Sequence, residues 1–415
     1  MYRFYRKYRF DIKLSIEYIR NRKSNKRGGM SMFTNPFSPI FGGKPGVFFG
    51  REEILKLFDH AMIDLGSEDR AMFITGTRGS GKTALLEQFS IRAAAKKRTV
   101  IDLGPENTIS QLVYALSGYD EMTKTVNPQA NVSVLGIGGG ISAGAVSKTE
   151  HVGKERLQEL LLKACANSKN GILVTVDEVQ KVPIEDVSSL CNAFQMASRK
   201  GNDIILAVAG LPYAYSEIIR HEGCTYLRRA THSELGLFTW DETTDALKKA
   251  FSKIKGLVID DSIIANFNSA SFGHPYLMQL LGYHLILRIN ELNAEKKHVV
   301  TEDEASVAIT NSVFAYEQRS LKPLLDELPN SEKKYLRIMS DCLNEDRLAA
   351  TADIAHGFGT TQSKLSKTRA YLIDNGIIAA PEQGKVMFCI PYLAAYVKKD
   401  LHISDAVEIA RQRRV

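Results

Sequence analysis

A glycine-rich loop between a strand and a helix constrains this chain more than any other feature of its sequence. Residues 76–83 read Gly-Thr-Arg-Gly-Ser-Gly-Lys-Thr, which fits the pattern Gly-x-x-x-x-Gly-Lys-Ser/Thr. The apolar run 71–75 precedes this loop, and the helical pattern 84–89 follows it. In that order the backbone N–H groups of a tight turn and the positive end of a helix dipole converge on a polyphosphate. The sequence therefore predicts a P-loop that binds the phosphates of a nucleotide.

Each residue of this loop is predicted to contact ATP. Lys82 is expected to reach the β- and γ-phosphates, and the Thr83 hydroxyl is expected to be a ligand of Mg²⁺. ATP and Mg²⁺ are therefore the predicted cofactors. The predicted ATP-binding residues of the loop are Gly76, Thr77, Arg78, Gly79, Ser80, Gly81, Lys82 and Thr83.

A second element is an apolar run at 171–176 that ends in two acids, Asp177 and Glu178. A strand without alternation is buried on both faces, as in a parallel sheet covered by helices. Open α/β sheets bind their ligands at the carboxyl ends of the strands. Asp177 is predicted to hold the Mg²⁺ shell, and Glu178, on the other side of the pleat, to polarise an attacking water. The alternative is a strand end that is capped by solvated acids.

Length and composition place the chain among large cytoplasmic proteins. Its 415 residues exceed what one hydrophobic core holds, so two or three domains are expected. The sequence lacks an apolar run of about eighteen residues, so no membrane span is expected. The 5 cysteines show no Cys-x-x-Cys pair and no histidine at ligand spacing. This pattern favours small buried thiols in a reducing compartment over a structural metal.

The net charge of +7 is concentrated at the N-terminus. Residues 1–29 hold ten Lys and Arg against two acids, a balance of +8, so the remaining residues sum to −1. With its tyrosines and phenylalanines, this segment fits a basic arm for nucleic acid or an anionic surface. The alternative, which we favour, is an untranslated leader, because residues 26–29 can be encoded by a purine-rich stretch that resembles a bacterial ribosome-binding site ahead of Met30 and Met32. In that case the charge of the whole chain carries no information about nucleic acid.

The rest of the chain divides by its periodicity. Four buried-strand patterns alternate with helices and predict a doubly wound α/β domain, a P-loop NTPase with a parallel sheet. Helical periodicity follows and predicts an all-helical lid whose first helix is capped by Asp241. The glycines at 136–140 indicate a hairpin or a loose loop. The predicted divisions are a basic extension at 1–32, the α/β domain at 33–237, the lid at 238–325, a third domain at 326–400 and a tail at 401–415.

The pattern of residues 326–400 predicts three helices and a hairpin, which is the order of a winged helix. In the third helix, predicted from Thr360 to Gly376, the apolar residues Leu365, Leu372 and Ile373 share an inner face. The outer face is basic and carries no acid, which suits a DNA major groove, with Lys and Arg neutralising phosphates. The alternatives are a protein-docking module and a solvated face. The predicted DNA-binding residues are Ser363, Lys364, Lys367 and Arg369.

Several short motifs occur in an order that is typical of one family. They are Asn35-Pro36-Phe37, Phe49-Gly50-Arg51-Glu52-Glu53, the loop 76–83, Val176-Asp177-Glu178, Ala209-Gly210-Leu211-Pro212, Glu234-Leu235-Gly236 and Gly273-His274-Pro275-Tyr276. Together they resemble bacterial AAA+ ATPases of the origin-recognition-like class, which also resemble archaeal and STAND ATPases. The resemblance covers about residues 33–400. It implies an ATPase core, a helical lid and a C-terminal winged helix.

The resemblance also implies roles for residues outside the loop. Phe49, Gly50 and Arg51 match a box that packs near the adenine. Arg228, or Arg229 beside it, stands where the family often has a catalytic arginine finger that acts on a neighbouring subunit. A finger of this kind implies a homo-oligomer, and the alternative is a surface arginine.

Two departures from the family affect the expected rate of hydrolysis. Ala209 and Gly210 stand where AAA+ proteins commonly place a polar sensor residue. The motif that contains Pro275 stands where they often place a sensor arginine. It is instead similar to the Gly-x-Pro of STAND proteins, which are slow switches, and this similarity places Pro275 at the nucleotide. Weak hydrolysis is therefore implied.

The favoured interpretation is a cytoplasmic ATP-dependent switch that presents its winged helix to duplex DNA. The main alternative is a signalling or defence ATPase whose winged helix binds protein. A metabolic kinase is a third possibility that the loop permits, although the sequence shows no pattern for its substrate.

Overall fold

The computed structural model describes residues 33–40, 46–125, 154–292 and 297–398. The predicted basic extension at 1–32, the glycines at 136–140 and the predicted tail at 401–415 lie outside the described residues.

A parallel sheet forms the centre of the N-terminal half. Its strands are β1 (Ala71–Gly76), β2 (Thr99–Leu103), β3 (Ile172–Val176), β4 (Ile204–Gly210) and β5 (Thr231–Leu235). The spatial order is β2-β3-β4-β1-β5, and every neighbouring pair is parallel. The sequence predicts four of these strands. It misses β5 because that edge strand carries polar, partly exposed residues and has no continuous apolar run.

Helices cover both faces of this sheet, which confirms the predicted α/β fold of a P-loop NTPase. One face packs on α1 (Glu52–Ala61) and α2 (Lys82–Ala95), where the rings of Phe58 and Phe89 stack at 4.2 Å. The remaining helices of this half are α3 (Thr108–Thr125), α4 (Lys154–Asn167), α5 (Ile184–Arg199), α6 (Pro212–Arg220) and α7 (Thr225–Arg228). Because the central strands are buried on both faces, their carboxyl ends stay at fixed positions at one edge of the sheet.

The lid consists of four helices and a small sheet. The helices are α8 (Trp240–Phe251), α9 (Asp261–Ser271), α10 (Pro275–Glu291) and α11 (Glu302–Tyr316). The prediction of an all-helical lid is wrong, because β6 (Leu257–Val258) pairs in parallel with β7 (His298–Val299). Strands of two residues are too short to give a pattern in the sequence. The predicted cap is also wrong: Thr239, which forms a capping box with Glu242, caps α8 in place of Asp241.

The lid continues into a C-terminal unit, which we define as residues 328–398. A π-helical turn (Glu317–Leu321) follows α11 and leads into a short linker helix, α12 (Lys322–Glu327). The unit contains α13 (Asn330–Asp341), β8 (Leu348–Ala350), α14 (Thr351–Phe358), a 3₁₀ turn (Gln362–Leu365), α15 (Ser366–Asp374), β9 (Ile378–Glu382), β10 (Lys385–Phe388) and α16 (Leu393–Lys398). Its three strands form an antiparallel sheet in the order β8-β10-β9.

This order agrees with the predicted three helices and hairpin, with three differences. The helix α16 after the hairpin was not predicted. The strand β8 is short and was not predicted. The third helix was predicted from Thr360, but the α-helix begins at Ser366 after the 3₁₀ turn. Ser363 and Lys364 therefore lie in that turn, and Lys367 and Arg369 lie in α15.

One apolar core joins the lid to the C-terminal unit. The Tyr392 hydroxyl donates a hydrogen bond of 2.7 Å to the Ala270 carbonyl, and its ring packs edge-on against Phe272. Residues 33–40 also pack on the lid, where Phe37 lies 5.0 Å from the ring of Phe251. The predicted boundary at 325 falls inside α12. The lid and the C-terminal unit therefore pack around one shared core.

All five cysteines lie in the described residues and are free thiols. Cys191 and Cys224 are buried, whereas Cys165, Cys342 and Cys389 are only partly buried. The expectation of uniformly buried thiols without a histidine nearby is thus wrong in part, since Cys224 Sγ lies 3.9 Å from His221 Nδ1. The described residues contain no helix with the length and hydropathy that a membrane crossing requires.

Candidate nucleotide-binding site

The glycines of the loop fix its path between β1 and α2. Gly79 and Gly81 have positive φ angles of 80° and 96°, which a residue with a side chain adopts only with strain. Gly81 is also the N-cap of α2 and supplies no capping side chain, so the first N–H groups of this helix have no side-chain acceptor there. At Gly76 a Cβ atom would lie 2.5 Å from Ser80 Oγ. The loop therefore exposes backbone donors at a helix N-terminus, where an anion binds favourably.

Lys82, the lysine of this loop, is a nearly buried cation. It is only 5% exposed, and its Nζ donates hydrogen bonds of 2.9 Å to the Gly76 carbonyl and 3.0 Å to the Thr77 carbonyl. Burial lowers the pKa of Lys82, and the nearby Glu178 and Asp177 oppose this shift. A buried ammonium ion is stable only when negative groups surround it. The loop is thus suited to a polyanionic ligand.

Thr83 and Asp177 meet at the edge of the sheet although 94 residues separate them. The Thr83 hydroxyl donates a hydrogen bond of 2.6 Å to Asp177 Oδ2. The other carboxylate oxygen of Asp177 accepts a hydrogen bond of 2.8 Å from the Glu178 N–H. A hydroxyl and a carboxylate are oxygen donors of the kind that Mg²⁺ prefers. The donor set therefore fits the predicted Mg²⁺ site.

Glu178 lies beside this pair in an uncommon backbone conformation. Its φ angle is 53°, in the left-handed region. Its Oε2 accepts a hydrogen bond of 2.9 Å from Gln180 Nε2 and lies 3.2 Å from Lys181 Nζ. Glu178 lines the same cavity as the loop, as its predicted role requires.

This cavity has a volume of about 390 Å³ and is large enough for a nucleotide. Its lining includes loop residues 78–83 together with Phe49, Arg51, Glu178 and Pro275, all of which the sequence predicts. Gly76 and Thr77, the first two residues of the loop, are not part of this lining, and their carbonyls accept hydrogen bonds from Lys82.

The box before α1 shapes the wall of the cavity. The Arg51 guanidinium lies 4.3 Å from the centre of the Phe238 ring, and it donates a hydrogen bond to the Gly236 carbonyl. Burial lowers the pKa of Arg51, and Glu242 opposes this shift. Gly50 has a φ angle of 57°, and a Cβ atom there would lie 2.7 Å from the Phe238 ring. Gly50 therefore allows the lid to approach this box and does not line the cavity itself.

His274 ties the lid to the loop, and the sequence did not predict this contact. The ring packs against Gly79, and its Nε2 lies 3.2 Å from the Arg78 carbonyl oxygen. A carbonyl only accepts, so Nε2 carries the proton. His274 Nδ1 has no hydrogen-bond partner within the described residues. Burial lowers the pKa of His274 to about 4, and Lys82 adds to this shift, whereas the Arg78 carbonyl opposes it.

The linker helix α12 and the C-terminal unit also contact the loop. Arg78 forms an ion pair of 3.0 Å with Glu327 at the end of α12. A Cβ atom on Gly376, which follows α15, would lie 2.8 Å from Thr77 Cγ2 and 3.4 Å from Pro212. Tyr371 and Asn375 of α15 line a second cavity together with Arg78 and Gly79. The loop therefore contacts the sheet, the lid and the C-terminal unit.

The other predicted residues lie away from the cavity. Arg228 is exposed on α7, where its Nε donates a hydrogen bond of 2.9 Å to the Ile219 carbonyl, and Arg229 follows it. Their predicted role as a finger stays a prediction.

The basic residues of the C-terminal unit lie on its surface. Ser363, Lys364 and Lys367 are exposed, and Arg369 is partly buried. Leu365 and Leu372 of the predicted inner face are buried, whereas Ile373 is only partly buried and packs against the same core.

Comparisons with known proteins agree with the fold. Residues 47–206 match the AAA ATPase domain, and residues 318–397 match a domain of unknown function (DUF8462). The chain is similar to the ORC2 protein of Aeropyrum pernix in its ADPNP-ADP complexes, with a TM-score of 0.58, 15% identity, and coverage of 92% of this chain and 98% of that chain. The ADP form gives a TM-score of 0.51 at 16% identity, over 92% and 99%. No curated protein sequence matches the chain.

These similarities support one conclusion. At such identities the likeness to solved structures concerns the fold alone, and the matched domain agrees with the strand order and the loop. The α/β domain has the fold of a P-loop NTPase, and residues 47–206 within it are similar to the AAA ATPase domain.

Proposed function

We propose that this chain binds ATP with Mg²⁺ at the loop 76–83, hydrolyses it slowly, and uses the nucleotide state to reposition its C-terminal unit. The observation that carries this proposal is the convergence on one loop. Asp177 at the sheet edge bonds to Thr83, His274 of the lid bonds to Arg78, and Glu327 of the linker helix also pairs with Arg78. A ligand that binds in the loop therefore changes the contacts of the loop with the lid and with the linker helix.

The chemistry assigned to the site is in-line transfer of the γ-phosphoryl group to water. Lys82 neutralises phosphate charge, and Thr83 and Asp177 would hold the Mg²⁺ ion. Mg²⁺ would supply further neutralisation of the charge on the phosphate oxygens. Glu178 accepts a proton from the attacking water, whose oxygen bonds to the γ-phosphorus. The bond from that phosphorus to the bridging oxygen breaks, and its electron pair leaves with ADP.

The proposed switch depends on competition between Glu327 and the nucleotide phosphates for Arg78. Glu327 is the partner of Arg78, and both side chains are about half exposed. A triphosphate in the cavity offers Arg78 a second and stronger anionic partner. ATP is therefore expected to weaken the contact of the loop with α12, and with it the docking of Gly376 on Thr77.

The C-terminal unit is proposed to be a winged helix that presents Ser363, Lys364, Lys367 and Arg369 to duplex DNA. Support comes from its order of elements and from the exposure of the two lysines. One observation favours the alternative of a protein-docking module. The C-terminal part of α15 already packs near the loop through Tyr371 and Asn375, so this unit serves a protein contact within its own chain. The same proposal includes a homo-oligomer in which Arg228 reaches a neighbouring subunit. It also includes a cytoplasmic location, which suits the five free thiols.

The test is duplex DNA binding by the full chain, at two salt concentrations, with Mg²⁺ and either ATP, ADP or no nucleotide. We expect binding that weakens with salt and that differs severalfold between the ATP and nucleotide-free samples. Equal affinity in all nucleotide states would contradict a switch that acts on DNA. If DNA binding is absent at both salt concentrations, the protein-docking alternative is favoured.

A further inference from the structure

The side chain of Gln180 joins the predicted base to the end of the neighbouring strand. Its Nε2 donates a hydrogen bond of 2.9 Å to Glu178 Oε2, and its Oε1 accepts a hydrogen bond of 3.1 Å from the Leu211 N–H. If the amide were flipped, its NH₂ group would face the Leu211 N–H and its oxygen would face the Glu178 carboxylate. The two partners therefore determine the orientation of the amide.

Space for this amide exists because the end of β4 has no side chain. A Cβ atom on Gly210 would lie 2.8 Å from Gln180 Oε1 and 2.9 Å from Val179 Cγ1. Both distances are too short for carbon contacts. Gly210 stands where the family resemblance implies a polar sensor residue, and the amide of Gln180 occupies the space beside it.

The anchor of this amide is rigid. β4 is buried along its whole length, and Pro212 opens α6 immediately after Leu211. A group that is hydrogen-bonded to this backbone is thus held by the centre of the sheet. Side chains supported in this way keep a reactive group in a productive geometry.

The second contact of Glu178 is weaker. Lys181 lies 3.2 Å away, but its side chain is 60% exposed. Exposed ion pairs contribute little and restrain geometry poorly. Both contacts use Oε2, and Glu178 Oε1 takes no hydrogen bond within the described residues. The amide of Gln180 is therefore the main restraint on the carboxylate.

We propose that Gln180 is a positioning residue that holds the Glu178 carboxylate so that Oε1 accepts the proton of the attacking water. The amide takes the place of the polar residue that β4 lacks. This proposal rests on the proposed function, because it assumes that Glu178 is the base.

The test compares ATP turnover and ATP affinity in full-length variants. Gln180→Ala removes the restraint, and we expect kcat to fall about tenfold or more, while ATP affinity changes less than about twofold. Gln180→Glu keeps the size of the side chain but replaces the amide donor with a carboxylate that repels Glu178, and we expect the same loss of kcat. A residue with a merely structural role would not lower kcat while ATP affinity stays unchanged.

Two further variants test whether a loss of kcat has another cause than the missing contact of Gln180. Gly210→Ala displaces the amide without altering Gln180, and we expect it to lower kcat in the same way at unchanged ATP affinity. Gln195→Ala is the matched control, because Gln195 lies on α5 and bonds to Thr225, away from the cavity. It should leave turnover unchanged.

The outcomes separate the two proposals. If Glu178→Gln retains turnover, the base lies elsewhere, and the catalytic step of the proposed function fails together with the positioning role of Gln180. If Glu178→Gln abolishes turnover but the variants at Gln180 keep the wild-type kcat, the positioning role of Gln180 is overturned alone.

Discussion

Arg78 of the phosphate loop and Glu327 of the linker helix α12 form an ion pair of 3.0 Å. This contact joins the nucleotide-binding loop to the element that leads into the C-terminal unit. Because both side chains are about half exposed, the pair contributes at most about 1 kcal/mol to stability. A contact of this strength is broken easily by a competing phosphate, which suits a switch.

Glu327→Gln should raise the affinity for ATP by about two- to fivefold, because Arg78 no longer has a competing carboxylate. The magnitude corresponds to the ~0.5–1 kcal/mol of an exposed pair. Calorimetric titration of Mg-ATP measures it. Asp326→Asn is the matched control, since Asp326 pairs with Lys322 on the same helix. Unchanged or lower affinity in Glu327→Gln would show that the pair does not oppose ATP.

Glu178→Gln should keep ATP binding and lower turnover by about a hundredfold or more, since the amide cannot accept the proton of water. The protein is then held in its ATP state. Phosphate release under single-turnover conditions measures the effect. Turnover within a few fold of wild type would place the base elsewhere.

Lys364→Glu combined with Lys367→Glu should weaken duplex DNA binding without a change in ATP affinity. Both residues are exposed, and the buried Leu365 and Leu372 are untouched, so the unit should fold. If each lysine neutralises one phosphate, the slope of log K against log salt should flatten by roughly two.

The control for this pair is Lys253→Glu with Lys255→Glu, which reverses two exposed charges on the lid. It makes the same change in net charge at another surface. Equal losses in both double variants would mean that only net charge matters. Equal DNA affinity of the Lys364/Lys367 variant and wild type would remove this helix from DNA recognition.

Acid should destabilise the protein partly through His274. Its pKa is lowered to about 4 by burial, against about 6.5 in the unfolded chain. Below pH ~6.5 the imidazole is protonated in the unfolded state but stays neutral in the folded state. The contribution of His274 to the free energy of unfolding is therefore fully present above that pH and is lost as the pH falls toward 4. At pH ~5 the protonation of this one group in the unfolded state lowers the free energy of unfolding by about 2 kcal/mol.

His274→Gln should therefore lose about 2 kcal/mol less than wild type between pH ~7.5 and ~5, measured by urea unfolding. His284, whose pKa burial also lowers to about 4, contributes in the same direction and remains in both proteins. The exposed His356→Gln serves as the control. Equal losses in His274→Gln and wild type would mean that His274 is not held neutral.

The sequence predicted the parts of the site that are local motifs. Lys82, Thr83, Asp177 and Glu178 stand in short patterns whose spacing is set by a strand and its following turn. The closeness of Thr83 and Asp177 follows because parallel strands end at the same edge of the sheet.

The missed contacts depend on how distant elements pack. His274 meets Arg78 across 196 residues, and no local pattern encodes that distance. Gln180 is only two residues beyond Glu178 in the sequence, but its role depends on Leu211 at the end of another strand. The strand β5 was missed for a different reason, because its polar residues at the sheet edge resemble a loop.

The loop 76–83 is proposed to bind ATP through Lys82, whose Nζ donates hydrogen bonds to the Gly76 and Thr77 carbonyls. Calorimetric titration of Mg-ATP into wild type and into Lys82→Ala measures this role. We expect a single site in wild type and an affinity about a hundredfold or more lower in the variant, which corresponds to the ~3 kcal/mol of a buried charge-assisted contact. Equal affinity of the two proteins for Mg-ATP would show that Lys82 does not bind the phosphates.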